Sequence, residues 1–341
     1  MRYFLTGHTG FKGAWLSLWL HHLGHEVCGY ALNPKSGGLF EQAEVRALLS
    51  SDHRGDIRDL TTLKSALAAD QPDVVMHLAA QPLVRESYRT PRETFETNIS
   101  GTMNVLESVD STASVRAHLV VTTDKVYRNV NQRHGYVEGD ALGGDDPYSA
   151  SKAMADILTQ SWVKSFRGPA TAIARAGNVI GGGDVSNERL IPDIVMAVTS
   201  GQALKLRYPQ AVRPWQHVLD CLNGYLMIVD YLLSEDCPSS TADAWNIGPS
   251  ETSFVSVAEV AKMFSTYWRG SDASAALTQP ELYEANLLTL NTQKARRELG
   301  WLDRLTTEEA IFWTADWYRK VHDGGDARQL AESQIQQFLR K

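Results

Sequence analysis

The sequence predicts an α/β protein with a doubly wound parallel sheet followed by a smaller mixed α/β lobe. Three observations lead to this prediction. Short β-rich runs alternate with longer helical patterns through the first half of the chain, a glycine-rich loop joins the first strand to the first helix, and this rhythm stops near Gly177. We therefore place one domain at residues 1–177 and a second at 178–341. Whether elements near 218–248 return to pack on the first domain stays open.

The first elements follow the strand–helix alternation. The apolar run Tyr3–Thr6 predicts a strand, and the glycine loop after it leads into an apolar helix at Ala14–Leu23. Glu26–Leu32 predicts the second strand, and a short third strand is expected near His53–Gly55. Asp59 occupies the N-cap position of a helical pattern that ends near residue 69.

The later elements of the first half continue the same series. Asp73–Leu78 reads DVVMHL, a continuous apolar run that predicts a strand buried on both faces. Thr94–Val109 has a helical pattern, and Ala117–Thr122 predicts the next strand. Pro147–Phe166 predicts a helix, since proline is favoured in the first turn, and Ala170–Ala174 predicts the strand that completes the sheet.

Composition narrows the class of protein. The chain has 341 residues, 43% of them hydrophobic, and a formal net charge of −7 without a concentrated basic stripe, so nucleic acid is not an expected partner. Its three cysteines have neither disulfide-framework nor metal-ligand spacing. The apolar stretch at Ala14–Leu23 is too short and too polar for a membrane span, and the N-terminus lacks a signal-peptide pattern. We expect a cytoplasmic protein without a metal or a membrane partner.

The loop GHTGFKG at residues 7–13 lies between the first strand and the first helix. Its glycines permit a tight turn, a close approach of backbone to a pyrophosphate and close helix–strand packing, with the helix N-terminus facing the phosphates. The spacing, with two residues between successive glycines, differs from the commoner fingerprint. Such a loop alone is also compatible with an ordinary turn, but its strand–helix context favours a Rossmann-type dinucleotide site.

The choice of dinucleotide depends on the second strand. The acidic residue expected about 20 residues after the glycines, which would bind the ribose hydroxyls, is not evident, because the strand ends in YALN. No arginine follows that would favour a 2′-phosphate, so NAD is preferred to NADP. Asp56 and Ile57 after the third strand are candidates for the adenine contact, although Asp56 could equally cap a helix or lie on the surface.

Tyr148 and Lys152 are four residues apart on a predicted helix and therefore share one face. A lysine close to a tyrosine favours the phenolate and lowers a pKa that is ordinarily about 10. Such a tyrosine can take the proton of a sugar hydroxyl while a hydride passes to nicotinamide. By itself the pair is common on surfaces, but together with the glycine loop it predicts a catalytic site.

Thr123, Asp124 and Lys125 follow the strand at Ala117–Thr122, at the sheet edge where ligands bind in this fold. Thr123 could bind the reacting hydroxyl, with Asp124 as general acid and Lys125 as base. A polar turn that leaves a strand is the alternative interpretation.

Five segments resemble one known family. They are TGHTGFKG at Thr6–Gly13, HLAAQ at His77–Gln81, TTDKVY at Thr122–Tyr127, DPYSASK at Asp146–Lys152 and RAGNVIGGGD at Arg175–Asp184. Together they resemble the extended short-chain dehydrogenases that act on nucleotide sugars. VRPWQHV at Val212–Val218 resembles the branch of that family that dehydrates CDP-linked glucose. The resemblance extends from residue 1 to about residue 301.

The resemblance implies an NAD-dependent lyase with an internal redox cycle. Tyr148 would deprotonate the sugar 4-hydroxyl while the C4 hydride passes to NAD, water would leave from C5 and C6, and the hydride would return to C6. Related dTDP-glucose dehydratases have a glutamate as C5 base where this chain has Lys125. This leaves Asp124 as the acid for the departing hydroxyl. The residues implied to be catalytic are Thr123, Asp124, Lys125, Tyr148 and Lys152.

The resemblance also implies a set of binding residues. Those for NAD are Gly7, Thr9, Gly10, Phe11, Lys12, Gly13, Asp56, Ile57, Leu78, Ala79, Ala80, Gln81, Asn98, Thr122, Tyr148 and Lys152. Those for the nucleotide-sugar diphosphate, mainly in the second lobe, are Asn178, Arg189, Arg213 and Asn246. A surface position for Arg189 and a structural turn for Asn246 are equally compatible with the sequence.

Two other functions share most of these features. A nucleotide-sugar 4-epimerase needs Tyr148, Lys152 and NAD but no acid–base pair for eliminating water, so Asp124 and Lys125 favour the dehydratase. A non-catalytic NAD-binding module would have no need for Tyr148, Lys152, Thr123 and Asp124 together. The helices Thr94–Val109 and Tyr148–Phe166 resemble the pair through which this class forms dimers, so a homodimer or a dimer of dimers is expected.

Overall fold

The computed structural model describes residues 1–132, 134–237, 243–250, 254–269, 275–277 and 288–341. The strands are β1 (Arg2–Thr6), β2 (Glu26–Ala31), β3 (Ser51–Arg54), β4 (Val74–His77), β5 (Ala117–Val121), β6 (Ala170–Ala176), β7 (Val179–Ile180), β8 (Leu204–Leu206), β9 (Val212–Arg213), β10 (Gln216–His217), β11 (Ala244–Ile247), β12 (Val255–Ser256) and β13 (Ala275–Leu277).

The helices alternate with these strands. They are α1 (Phe11–His22), α2 (Leu39–Gln42), α3 (Leu60–Asp70), α4 (Val84–Arg89), α5 (Pro91–Phe95), α6 (Gly101–Asp110), α7 (Pro147–Ser165), α8 (Leu190–Ser200), α9 (Val218–Leu233), α10 (Val257–Arg269), α11 (Gln293–Leu299), α12 (Thr307–His322) and α13 (Ala327–Arg340). Short 3₁₀ turns lie at Val45–Leu48 and Asp124–Val126, and a π turn at Glu96–Ser100 joins α5 to α6.

The central sheet has seven strands in the order β11-β6-β5-β4-β1-β2-β3. All six strand pairs are parallel, with Thr6 opposite both Tyr30 of β2 and His77 of β4. The chain therefore winds outward from β1 in one direction and from β4 in the other. The crevice between β1 and β4 is the place where such sheets bind ligands. The predicted doubly wound α/β fold is confirmed.

Alternate residues of the strands pack into two hydrophobic clusters, one on each face of the sheet. Tyr3 and Leu5 of β1 belong to the larger cluster, which includes residues of α1, α9, α12 and α13. Phe4 between them belongs to a smaller cluster with Leu63 of α3 and Val105 of α6. The sheet is thus covered on both sides.

The second half of the sequence contributes directly to the central sheet. β11 pairs with β6, with Ala244 opposite Ile173, and becomes the seventh strand. The other short strands form three separate pairs, β7 with β10, β8 with β13 and β9 with β12. In the described part of the chain, no helix combines the length and apolar character needed to cross a membrane.

The predicted helix at Thr94–Val109 differs from the observed one. Helical structure begins earlier, at Pro91, and widens into the π turn at Glu96–Ser100 before α6 starts at Gly101. The turn carries Asn98, whose buried side chain binds the loop after β4, as described below. π turns of this kind are frequent at functional sites.

Candidate active site

A cavity of about 770 Å³ lies at the carboxyl ends of the central strands. It is lined by the loops that follow β1, β4, β5 and β6, by the start of α7, and by α8 and β8 of the second lobe. This volume falls within the range of about 300–1,000 Å³ that is usual for small-molecule sites. The cavity therefore brings the glycine loop together with Thr123, Lys125, Tyr148 and Lys152, four of the five predicted catalytic residues.

The glycine loop forms a cradle at the N-terminus of α1. Gly7 has a φ of +78°, and a Cβ there would lie 2.7 Å from the backbone nitrogen of Ala79. A Cβ on Gly13 would lie 2.3 Å from the Gly7 carbonyl oxygen, so both positions require glycine. A Cβ on Gly10 would meet only that carbonyl oxygen, at 3.3 Å, which leaves its cavity side open. Backbone and helix N-terminus are therefore arranged as the pyrophosphate of NAD requires.

The polar side chains of the loop bind the protein itself. Thr9 Oγ1 donates to the Leu32 carbonyl at 3.1 Å, and Lys12 Nζ donates to the Tyr225 hydroxyl at 3.1 Å. Burial lowers the pKa of Lys12. Both residues line the cavity, but their polar groups bind Leu32, just after β2, and α9.

The residues expected to contact the adenine lie in the loop after β3, on the β1 side of the central crevice. Asp56 and Ile57 line the cavity, and Asp56 accepts hydrogen bonds from Arg58 Nε at 3.0 Å and Nη2 at 2.6 Å. The Arg58 hydrogen bonds lower the pKa of Asp56. Asp59, and not Asp56, caps α3, because its carboxylate accepts from the Thr62 amide at 3.1 Å.

Asn98 has a different position from the predicted one. It does not line the cavity but is buried beneath the loop after β4, where its Oδ1 accepts from the Gln81 amide at 2.9 Å. Its Nδ2 donates to the Gln81 carbonyl at 3.1 Å and to Ser151 Oγ at 2.8 Å. Asn98 therefore holds Gln81, which does line the cavity, against α7.

Tyr148 and Lys152 occupy the first turns of α7. Asp146 caps this helix by accepting from the Ser149 amide at 2.9 Å, and Pro147 is its first residue. Lys152 is buried, and its Nζ donates to the Val121 carbonyl at 2.7 Å at the end of β5. Burial, assisted by the charge of Lys12, lowers the pKa of Lys152 to about 8.

The pKa of Tyr148 departs from the sequence-based expectation. Burial raises it to about 12, and the negative charge of Asp124 adds to this, whereas a hydrogen bond with Thr123 lowers it. We expected Lys152 to lower this pKa, but its ammonium is bound to the Val121 carbonyl and burial dominates. The protein alone therefore keeps the Tyr148 hydroxyl protonated.

Thr123, Asp124 and Lys125 form a tight turn directly after β5. Asp124 Oδ1 accepts from Thr123 Oγ1 at 2.8 Å and from Lys125 Nζ at 3.0 Å, and Lys125 Nζ also donates to Asn178 Oδ1 at 3.3 Å. Thr123 and Lys125 line the cavity, but Asp124 is fully buried behind them. Its Oδ2 has no hydrogen-bond partner among the described residues and faces Gly177.

The predicted diphosphate residues divide into two groups. Asn178, Arg189 and Arg213 line the cavity; Arg189 pairs with Asp184 at 3.0 Å, and Arg213 donates to the Val212 carbonyl at 3.0 Å. Asn246 does not line it. Asn246 is buried in β11, where its side chain binds the Tyr127 hydroxyl at 2.7 Å and backbone carbonyls of neighbouring loops, so its role is structural.

Several charged residues of the cavity were not predicted. They include Lys35, Arg85, Glu86, Glu188, Asp193, Lys205 and Arg207. The segment LKLRYP ahead of VRPWQHV was a usable signal for Lys205 and Arg207, because basic side chains on a short strand suit a phosphate or a base. Arg85 had no such signal, because α4 was not recognised in the sequence.

Comparison with known proteins connects this site to a family. The sequence profile of GDP-mannose 4,6 dehydratase matches residues 4–312. The CDP-glucose 4,6-dehydratase of Salmonella typhimurium is 40% identical over 348 aligned residues, which cover 99% of this chain and 96% of that one. The resemblance that the sequence motifs predicted is confirmed.

Solved structures agree with the fold. A dTDP-glucose 4,6-dehydratase from Streptomyces venezuelae, crystallised with NAD, has 25% identity and a TM-score of 0.83 over 96% of this chain and 99% of that one. A UDP-glucose 4-epimerase from Stenotrophomonas maltophila has 21% identity and a TM-score of 0.82 over 95% of this chain and 100% of that one, which shows a common fold alone. By its sequence profile and its relatives, the chain belongs to the GDP-mannose 4,6 dehydratase family of extended short-chain dehydrogenases.

Proposed function

We propose that this protein is an NAD-dependent hydro-lyase that converts CDP-glucose to CDP-4-keto-6-deoxyglucose, with a net transfer of hydride from C4 to C6. One observation carries the proposal: Lys125, bound to Asp124, lies in the same cavity as Tyr148 and Lys152. An epimerase eliminates no water and therefore does not need the Lys125–Asp124 pair. The 40% identity with a CDP-glucose 4,6-dehydratase supports the same reaction and the same base.

The glycine cradle fits NAD: Gly10 and the N-terminus of α1 would hold the pyrophosphate, and Tyr148 and Lys152 would lie beside the nicotinamide. When bound, NAD supplies a hydride acceptor on a positively charged ring. Gln81, held by Asn98, lines the wall between the two ends of this site.

Tyr148 takes the proton of the sugar 4-hydroxyl. Its buried hydroxyl has a pKa raised to about 12, so a nearby positive charge is needed to favour the phenolate. The hydrogen bond between Thr123 and the Tyr148 side chain acts in the same direction, because it lowers the pKa of Tyr148. Lys152 anchors the start of α7 to β5 through the Val121 carbonyl and keeps its charge beside the reacting atoms.

Lys125 carries out the proton transfers of the elimination. In its neutral form it takes the C5 proton, and as an ammonium it gives a proton to the departing 6-hydroxyl, which leaves as water while the C5–C6 double bond forms. We expected Asp124 to be the acid, but its burial behind Thr123 and Lys125 favours a supporting role. Asp124 and Asn178 hold Lys125 Nζ at 3.0 and 3.3 Å.

We also propose a homodimer formed by the helices that the sequence singled out. Exposed apolar side chains lie on α6 and α7, with Met103 40%, Met154 49% and Ile157 51% exposed. An exposed apolar patch of this kind is typical of an interface. The cytoplasm is the proposed compartment, because the reaction consumes a nucleotide sugar and the three cysteines have no disulfide-framework spacing in the sequence.

The test is turnover by the purified protein. CDP-glucose, dTDP-glucose and UDP-glucose are incubated separately with the protein and NAD, and the products are followed by mass and by the alkaline absorbance of a 4-keto-6-deoxy sugar. The expected result is loss of one water from CDP-glucose without accumulation of NADH. An unchanged mass with a galactose-configured product would make the protein an epimerase, and no turnover of any substrate would favour a binding module.

A further inference from the structure

Arg85 is a cation of the cavity wall whose Nε has no hydrogen-bond partner among the described residues. It lies on α4, its side chain is 18% exposed, and it lines the cavity. Its Nε is buried, and no described residue accepts a hydrogen bond from it. Its Nη1 is 3.6 Å from Glu188 Oε1, which is longer than a hydrogen bond.

A buried guanidinium N–H without an acceptor is unfavourable, since it has lost water and gained nothing in return. Glu188 does not remove this cost, because its carboxylate is engaged by Arg89 Nη2 at 2.8 Å. The backbone of Glu188, with a left-handed φ of +62°, also presents its carbonyl oxygen to Arg207 at 3.0 Å. Arg85 is therefore available to a ligand of the cavity.

The position of Arg85 indicates which part of a ligand it meets. Two residues later, Ser87 accepts from the Tyr148 amide at 3.1 Å, which fixes α4 against the start of the catalytic helix. On its other side, Arg85 faces Glu188, the neighbour of Arg189 in sequence. Arg85 thus lies in one cavity with Tyr148, at which we propose that the sugar reacts, and with Arg189, which we assigned to the diphosphate.

We propose that Arg85 binds the phosphate that carries the sugar, the β-phosphate of a pyrimidine nucleoside diphosphate sugar; this inference rests on the proposed function. A desolvated guanidinium requires an anion, and its Nε and Nη atoms form a fork that matches two phosphate oxygens. Binding there fixes the sugar relative to Tyr148 and Lys125 without a role in the chemistry itself.

Arg89→Gln provides a matched control for Arg85→Gln. Arg89 also pairs with Glu188, and the substitution removes the same charge, but Arg89 is 59% exposed and does not line the cavity. Both variants and the unmodified protein are titrated calorimetrically with CMP, CDP and NAD. We expect Arg85→Gln to weaken CDP binding by about 10- to 100-fold, with CMP and NAD binding unchanged. Arg89→Gln should bind all three ligands as the unmodified protein does.

Unchanged CDP affinity in Arg85→Gln, or an equal loss for CMP and CDP, would overturn the inference. A loss seen with CDP-glucose but not with CDP would also overturn it, since the contact would then be with the sugar. If Arg85→Gln fails to bind NAD, Arg85→Lys takes its place, and a loss of several-fold for CDP is expected because an ammonium lacks the fork. Failure of the proposed function is distinct, because the unmodified protein itself would then bind no CDP or release no water from CDP-glucose.

Discussion

Lys125 Nζ lies 3.0 Å from Asp124 Oδ1, yet only the lysine of this pair lines the cavity. The carboxylate is fully buried and the lysine side chain is 26% exposed. The pair therefore presents only the lysine to the cavity and keeps its counter-charge buried. Substitutions of Lys125 and of Asp124 should therefore have different effects.

Substitution of Lys125 by Met should stop the elimination but leave the oxidation at C4. We expect water loss to slow by about 10²- to 10⁴-fold, the usual contribution of a general acid–base group. Reduced cofactor should then accumulate, as measured by its absorbance beside the product mass. Asp124→Asn retains an acceptor for Lys125 Nζ and should slow water loss less. An equal or larger effect of Asp124→Asn would mean that Asp124 itself acts on the substrate.

The ionisation of Tyr148 should depend on NAD. With its pKa raised to about 12, the hydroxyl stays protonated at neutral pH in the protein alone. Because a nearby positive charge favours the phenolate, NAD should lower the pKa and shift the onset of tyrosinate absorbance to lower pH. The measurement is the ultraviolet pH titration of the unmodified protein minus that of Tyr148→Phe, with and without NAD. Identical difference curves under both conditions would contradict the prediction.

Lys152→Met should be inactive and yet more stable near neutral pH. The folded-state pKa of Lys152 is lowered to about 8 from 10.5, so its charged form opposes folding. The contribution of neutral Lys152 to the free energy of unfolding is fully present above pH 10.5. It is lost as the pH falls through about 8, where the buried lysine becomes charged. The substitution removes this charge penalty and also the hydrogen bond to the Val121 carbonyl. Because the penalty is the larger of the two, we expect a net gain of about 1–3 kcal/mol in the free energy of unfolding at pH 7.

Denaturant unfolding of Lys152→Met and the unmodified protein between pH 7 and pH 10.5 checks this linkage. The difference between them should shrink as the pH rises above about 8, because the folded protein then holds Lys152 neutral and the free-energy cost of removing its proton falls as the pH approaches the unfolded-state pKa of 10.5. A variant that is less stable at pH 7, or a difference that does not change with pH, would show that the lysine packs without a charge penalty.

Two alanine substitutions in the glycine loop should have different effects. A Cβ at Gly13 would lie 2.3 Å from the Gly7 carbonyl oxygen, so Gly13→Ala should lower the melting temperature. A Cβ at Gly10 would meet that same oxygen at 3.3 Å and otherwise point to open space, so Gly10→Ala should keep the melting temperature within a few degrees. If this space holds the pyrophosphate, Gly10→Ala should still lose NAD affinity by at least about 10-fold. Normal NAD affinity in Gly10→Ala would place the cofactor elsewhere.

Local patterns in the sequence determined the sheet and the place of the chemistry. Apolar runs of strand length, the Asp59 cap and Pro147 at the start of α7 are signals within a few residues, and each was found near its predicted position. The glycine loop was predictable because its glycines are required by contacts inside the loop and with one neighbouring strand end. The spacing of Tyr148 and Lys152 likewise needs only the geometry of a helix.

Only the tertiary structure decided which side chains are buried and which hydrogen-bond partners they have, because both depend on residues far apart in the sequence. It buried Asp124 behind Lys125, directed Asn98 to Gln81 and Asn246 to Tyr127, and brought β11 beside β6 as the seventh strand. The pKa of Tyr148 likewise depends on residues that are far apart in the sequence. Lys152 is one helical turn from Tyr148 in sequence, but the desolvation that raises the pKa of Tyr148 comes from the whole surrounding fold.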